Sequence, residues 1–126
     1  MDFAEFNINL TAKNPQEYLE LLASNEKWFA RCKDDLKHIR SLGENPLSKL
    51  ATEDFDQFID AATFNNGGLG HADYSPLMKS LTLSEIQLIF SYCGIGPILL
   101  LDYQDYYCES KGNCTSKNFK ICTSSC

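Results

Sequence analysis

The sequence predicts a mainly α fold, a small bundle of four or five short helices followed by an irregular cysteine-rich C-terminal tail. Two observations lead to this prediction. Apolar residues recur at helical spacing behind recognisable cap residues through most of the chain, and four of the six cysteines lie within the polar residues 108–126. We therefore expect a helical part over residues 1–107 and a cysteine-rich tail over residues 108–126.

The charge is distributed unevenly along the chain. The net charge is −6, but the tail has one acidic residue, Glu109, against Lys111, Lys117 and Lys120. The tail therefore carries +2, and the rest of the chain carries −8. An acidic body repels phosphate backbones, so we expect no nucleic-acid partner, and a basic protein surface would suit it better.

The first two helices are predicted from caps and periodicity. Asn14 and Pro15 are typical of an N-cap and a first helical position, and Glu17 lies in capping-box register. The residues before Asn14 are expected to form a short strand or an extended arm. A second cap within residues 24–26 precedes a helical stripe that ends at Gly43. Its apolar members are Trp28, Phe29, Cys32, Leu36 and Ile39.

Three further helices are predicted after Gly43. One begins after Thr52, one follows the capping box formed by Thr82 and Glu85, and a last one runs from Pro97 to Tyr107. The last segment is also consistent with a buried strand, because short apolar runs are ambiguous. The expected core contains Leu22, Trp28, Phe29, Leu36, Phe55, Phe58, Ile59, Ile86, Phe90 and Leu100.

The four tail cysteines, Cys108, Cys114, Cys122 and Cys126, require a chemical explanation, and three are open. Four thiolates could bind zinc, which would stabilise a segment too polar to fold alone. The gaps of five, seven and three residues fit zinc poorly, because only the last pair has the spacing of a ligand pair. Two disulfides would also stabilise such a tail, in any of three pairings, but they need an oxidising compartment.

The third explanation is enzymatic modification of the tail. Cysteines alternate there with Ser and Thr, as in residues 114–116 and 122–126, and a thiol can add to a dehydrated Ser or Thr to form a thioether. Gly67 and Gly68 follow the acidic and apolar residues 53–60. Together these features resemble bacteriocin-like precursors of ribosomally made, modified peptides. The resemblance implies a helical leader that a partner recognises, cleavage after Gly68 during export, and modification of the cysteines.

The function expected from this pattern is a non-enzymatic precursor or secreted peptide-like protein. Its helical part would be recognised by a protein partner, either a modifying enzyme or a transporter, and its cysteine tail would be modified or crosslinked. The alternative is a small intracellular protein-binding protein of immunity or regulator type, with a zinc- or thiol-stabilised tail. No cofactor is expected, with zinc at the tail cysteines as the one alternative left open.

The remaining reactive side chains do not indicate catalysis. Cys32 and Cys93 lie on predicted apolar helix faces and are expected to be buried thiols. His38 is expected at the surface, and His71 follows the glycine-rich loop with no spacing that pairs it with a thiol. We therefore expect no enzymatic activity.

Membrane insertion is not expected either. The longest apolar run, residues 95–101, is far too short to span a bilayer. The first residues lack the basic and apolar pattern of a standard secretory signal. The expected location is the cytoplasm as synthesised, with export by a non-standard route as the companion of the precursor hypothesis.

Overall fold

A computed structural model describes residues 1–126 and shows a mixed α/β fold, so the prediction of a mainly α protein is wrong. The six helices are α1 (Pro15–Ala23), α2 (Lys33–Ser41), α3 (Pro46–Lys49), α4 (Thr52–Ala61), α5 (Leu83–Tyr92) and α6 (Pro97–Tyr103). The four strands are β1 (Thr63–Asn65), β2 (Gly68–Asp73), β3 (Gln104–Ser110) and β4 (Asn113–Cys122). Short 3-10 turns cover Phe3–Glu5, Ile8–Leu10 and Ser75–Lys79.

Two of the helix starts predicted from cap residues, those of α1 and α5, are confirmed, whereas the helix predicted after the cap within residues 24–26 begins only at Lys33. The Asn14 side chain accepts a hydrogen bond from the backbone N–H of Glu17 at 2.9 Å, and Pro15 is the first residue of α1. Thr82 and Glu85 form a reciprocal capping box at the start of α5. These caps satisfy N–H groups that have no partner within the helix. Because each cap involves only neighbouring residues, it can be predicted from the sequence.

The segment between α1 and α2 is not helical, although apolar periodicity predicted a helix there. The helix begins only at Lys33, so Trp28 and Phe29 are buried from an irregular segment. The Arg31 guanidinium holds this segment by donating to the backbone carbonyls of Leu22, Ser24, Glu26 and Gly67. The bond to Gly67 is long-range, whereas the other three join Arg31 to carbonyls five to nine residues earlier in the chain.

The sheet has the strand order β1-β2-β4-β3, and every pairing is antiparallel. Strands β1 and β2 form a hairpin whose turn residues, Asn66 and Gly67, have φ of 54° and 91°. An Asn-Gly pair with two positive φ angles is the favoured two-residue hairpin turn. The glycine-rich segment before His71 was expected to be a loop, and this pair is the hairpin signal that the expectation missed.

The last predicted helix ends early. Helix α6 stops at Tyr103, and the chain continues as β3, which pairs with β4. The expected boundary between residues 107 and 108 therefore falls inside a strand. Part of the tail also enters the core, because Ile121 pairs with Ala72 of β2 and both are buried.

The core lies between the helices and one face of the sheet. All ten apolar side chains expected in the core are buried. The N-terminal arm, expected to be a short strand or extended, instead forms two of the 3-10 turns, and its Phe3 and Phe6 rings both pack edge-on against Tyr92. No helix in the structure combines the length and apolar character that crossing a membrane requires.

Candidate functional site

The C-terminal strand is folded back on itself. Cys114 and Cys122 are both in β4, yet their Cα atoms are only 5.9 Å apart. Eight residues of straight strand would separate them by about 26 Å. The reversal coincides with a break in the β3–β4 register, where Tyr106 pairs with Ser116 but Gln104 pairs with Ile121.

Asp105 and Phe119 make the reversal possible. Both have positive φ angles, 64° and 68°, which non-glycine residues seldom adopt. The Asp105 carboxylate accepts hydrogen bonds from the Phe119 backbone N–H at 3.0 Å and from the Tyr74 hydroxyl at 2.6 Å. Burial and this bond to the carboxylate raise the pKa of Tyr74 well above its ordinary value. No local sequence signal marks Asp105, since the bend depends on partners far along the chain.

The reversal brings all four predicted crosslink residues together as two disulfides. Cys108 pairs with Cys126 at a Cα distance of 5.8 Å, and Cys114 pairs with Cys122. The two bonds lie side by side, because the Sγ atoms of Cys108, Cys122 and Cys126 are all within 4.8 Å of one another. Of the three explanations for the tail, this is the disulfide pattern, with its pairing now assigned.

The last residues of the chain are built into the fold rather than hanging from it. The Thr123 hydroxyl donates to the carbonyl of Leu69 at 2.7 Å, and the Ser125 hydroxyl donates to the carbonyl of Asn65 at 2.8 Å. The backbone N–H of Gly112, in the β3–β4 turn, donates to the Cys126 carbonyl at 3.0 Å. Thr123 and Ser125 of the tail, which was expected to be irregular, are thus buried partners of β1 and β2.

His71 lies beneath the folded-back hairpin. It pairs with Cys122 across β2 and β4, so the two side chains share the face of the sheet opposite the core. Its Nε2 atom is buried and has no hydrogen-bond partner. Burial, with the neighbouring charge of Lys120, lowers the pKa of His71, which keeps the imidazole neutral. Lys120 itself forms an ion pair with Asp73 at 2.6 Å.

The predicted cleavage site lies in the β1–β2 hairpin. Gly67 is exposed in the turn, whereas Gly68 and Leu69 are buried in β2. A Cβ atom on Gly68 would lie 2.1 Å from a methyl carbon of Leu22, so α1 covers this position closely. Cleavage after Gly68 stays a prediction, and it requires the hairpin to leave the surface of the protein so that a protease can bind it extended.

The two cysteines outside the tail differ from each other. Cys93 is fully buried, as expected, and burial raises the pKa of its thiol to about 12. Cys32 is exposed at the start of α2, so the prediction that it is buried is wrong. The reason is that the helical stripe to which it was assigned does not form before Lys33. His38 is exposed, as expected.

A small apolar groove opens beside the β3–β4 hairpin. Buried Ile121 and Phe90 are part of its wall, and half-exposed Met78 and exposed Leu83 stand at its edge. Its volume of about 220 Å³ is below the range usual for cofactor sites. The groove can accept an apolar side chain, and the polar side chains in its lining are Tyr74 and Gln104.

Comparison with protein families, curated proteins and solved structures finds no significant match to this chain.

Proposed function

We propose that this chain is a non-enzymatic precursor or secreted peptide-like protein whose C-terminal segment is crosslinked by two disulfides and whose remaining part is recognised by a protein partner. The observation that carries the proposal is the geometry of the cysteines. All four tail cysteines pair within a segment that folds back on itself, and each pair has the Cα separation that a disulfide requires.

The composition of the segment supports a structural use of the disulfides. Within residues 108–126, Ile121 is the only large aliphatic or aromatic side chain that is buried, and Phe119 is exposed. Such a segment gains little from apolar burial, whereas a crosslink restricts its unfolded state. A loop closed at a separation of 18 residues contributes about 3 kcal/mol in the chain-entropy model. Crosslinks of this kind persist in oxidising compartments, which supports export.

The charge of the body supports recognition by a basic protein surface. On α4, the exposed residues Glu53, Asp56 and Asp60 follow one another at three- and four-residue spacing, and none of them forms an ion pair. They therefore lie along one helical face and keep their charge available. A modifying enzyme or transporter with a basic recognition surface would fit this face.

The test is the intact mass of the protein isolated from its native host, with and without reduction and alkylation. Two disulfides lower the mass by about two hydrogens each, and reduction restores it. Peptide mapping should then locate the pairs Cys108–Cys126 and Cys114–Cys122. Irreversible losses of about one water each within residues 108–126 would still support a precursor but would replace disulfides by thioethers. Six freely alkylatable thiols would refute the proposal.

The alternative is an intracellular interaction protein of immunity or regulator type. It is favoured by Cys32 and Cys93, which are both free, and Cys32 is exposed. An exposed free thiol is unusual in an exported protein, where it can form unwanted intermolecular pairs. The same mass measurement separates the two functions, because this alternative predicts six thiols in the protein from its host.

A further inference from the structure

We propose that the reduced chain binds one Zn²⁺ ion through the thiolates of Cys108, Cys114, Cys122 and Cys126. The metal and the two disulfides would then be alternative ways of holding the same segment, and only one can exist at a time because they use the same sulfur atoms. This proposal goes beyond the proposed function, since it concerns the chain before it is crosslinked.

The sulfur positions are close to those of a tetrahedral site. Zinc–thiolate bonds of about 2.3 Å place the four sulfurs of such a site about 3.8 Å apart. The Sγ atoms of Cys108, Cys122 and Cys126 already lie within 4.8 Å of one another. Cys114 is outside this group of three, but its sulfur is bonded to that of Cys122, so it has to move to reach a shared ion. When both disulfides are reduced, side-chain rotations can therefore supply four ligands without rebuilding the backbone.

Bonds that do not involve sulfur keep the four residues together after reduction. Cys108 and Cys114 face each other across the β3–β4 ladder. Next to Cys122, the Thr123 backbone N–H donates to the carbonyl of Gly70 at 3.0 Å. Cys126 is held through its carbonyl by the N–H of Gly112. The ligands come from three stretches of backbone that the sheet and the turn position independently of the disulfides.

The surroundings suit a site with excess negative charge. Four thiolates and one zinc ion carry a net charge of −2, and the hairpin provides Lys111 beside Cys108 and Cys126. His71 faces Cys122 with a buried Nε2 atom that has no partner. An Nε2–H hydrogen bond from His71 to a metal-bound sulfur would be a common outer-shell arrangement. The cluster thus gives a role to a buried polar atom that is otherwise unsatisfied.

The gaps between the tail cysteines, which fit a zinc site poorly in the sequence, do not exclude one in this fold. Close ligand pairs are usual because a short knuckle brings two thiolates to one ion. Here the reversal at Asp105 and Phe119 does this over longer gaps, because it lays Cys114 against Cys122.

The experiment uses the full chain, reduced without oxygen and titrated with Co²⁺ alone and then with Zn²⁺. We expect one equivalent of Co²⁺ to give the charge-transfer and ligand-field absorption of tetrahedral thiolate coordination, and Zn²⁺ to displace it. Because thiols must lose protons to bind, the affinity should increase with pH. Each of C108S, C114S, C122S and C126S should weaken zinc binding at least tenfold, whereas C32S should leave it unchanged.

A second measurement does not depend on variants that could fail to fold. Zinc should protect all four tail cysteines of the wild-type chain from alkylation while Cys32 still reacts, and the oxidised protein should bind no metal. The proposal is overturned if the reduced protein does not bind Zn²⁺, or if zinc does not protect the four thiols. It is also overturned if C114S binds normally while H71A does not, since the site would then contain a histidine ligand. None of these results bears on the mass of the exported protein, so the two proposals can fail separately.

Discussion

The Cys108–Cys126 disulfide ties the end of the chain to the β3–β4 hairpin, and its removal is the most direct perturbation of this segment. The double variant C108S/C126S opens a loop with a sequence separation of 18. In the chain-entropy model, this loss lowers the free energy of unfolding by about 3 kcal/mol. The remaining Cys114–Cys122 bond closes a loop of only 8 residues inside the first, and alone it is expected to contribute about 2.5 kcal/mol.

The assay is equilibrium unfolding in urea, followed by the fluorescence of buried Trp28. With a urea m-value of about 1–3 kcal/mol/M, a loss of about 3 kcal/mol moves the midpoint down by about 1–3 M. The matched control is C32S, which removes an exposed free thiol and should leave the midpoint unchanged.

Repeating the unfolding of wild type and C108S/C126S with reductant separates the effect of loop closure from that of side-chain packing. Under reducing conditions with a zinc chelator present, wild type and C108S/C126S should unfold at nearly the same urea concentration, because neither has the crosslink. If the double variant is equally destabilised relative to wild type with and without reductant, the loss comes from packing of the cysteine side chains. The reasoning from loop closure would then be refuted.

Three further predictions concern the residues that shape the site. D105A removes the acceptor for two hydrogen bonds and should lower the free energy of unfolding in urea by about 2 kcal/mol. D102A, at an exposed position, should lower it little, and equal effects would contradict the role of Asp105 in the reversal. G68A should lower the free energy of unfolding by about 1–3 kcal/mol, because its methyl group overlaps Leu22. Adding L22A should recover part of that loss, and strict additivity of the two substitutions would argue against the contact. In the folded protein at neutral pH, Cys93 should react with a thiol reagent far more slowly than exposed Cys32, because burial and a pKa of about 12 keep it protonated; comparable rates would show that the core around it opens readily.

The failure of the mainly α prediction is confined to particular segments. Residues 104–122 carry mostly polar side chains, and the strands they form are largely exposed, so no alternating apolar pattern marks them. The positive φ angles that turn the chain fall on Asp105 and Phe119 rather than on glycine. The one strong β signal was the Asn66–Gly67 pair, which does form the turn of a hairpin.

For the candidate site, the sequence predicted the residues but not their pairing. The sequence alone singled out Cys108, Cys114, Cys122 and Cys126 but left three pairings equivalent. The pairing depends on the reversal of β4, and the reversal depends on Tyr74, which is remote from Asp105 in the chain. The partnership of His71 with Cys122 likewise exists only through the register of β2 and β4.

The sequence by itself determined the starts of α1 and α5, the ten core side chains and the residues that carry the cysteine chemistry. These features depend on neighbouring residues, through cap hydrogen bonds, helical periodicity and composition. The tertiary structure alone decided the sheet, the irregular segment before α2, the exposure of Cys32 and the disulfide pairing. Each of those depends on hydrogen bonds or contacts between distant parts of the chain, and a local pattern does not encode which distant partner a backbone group will find.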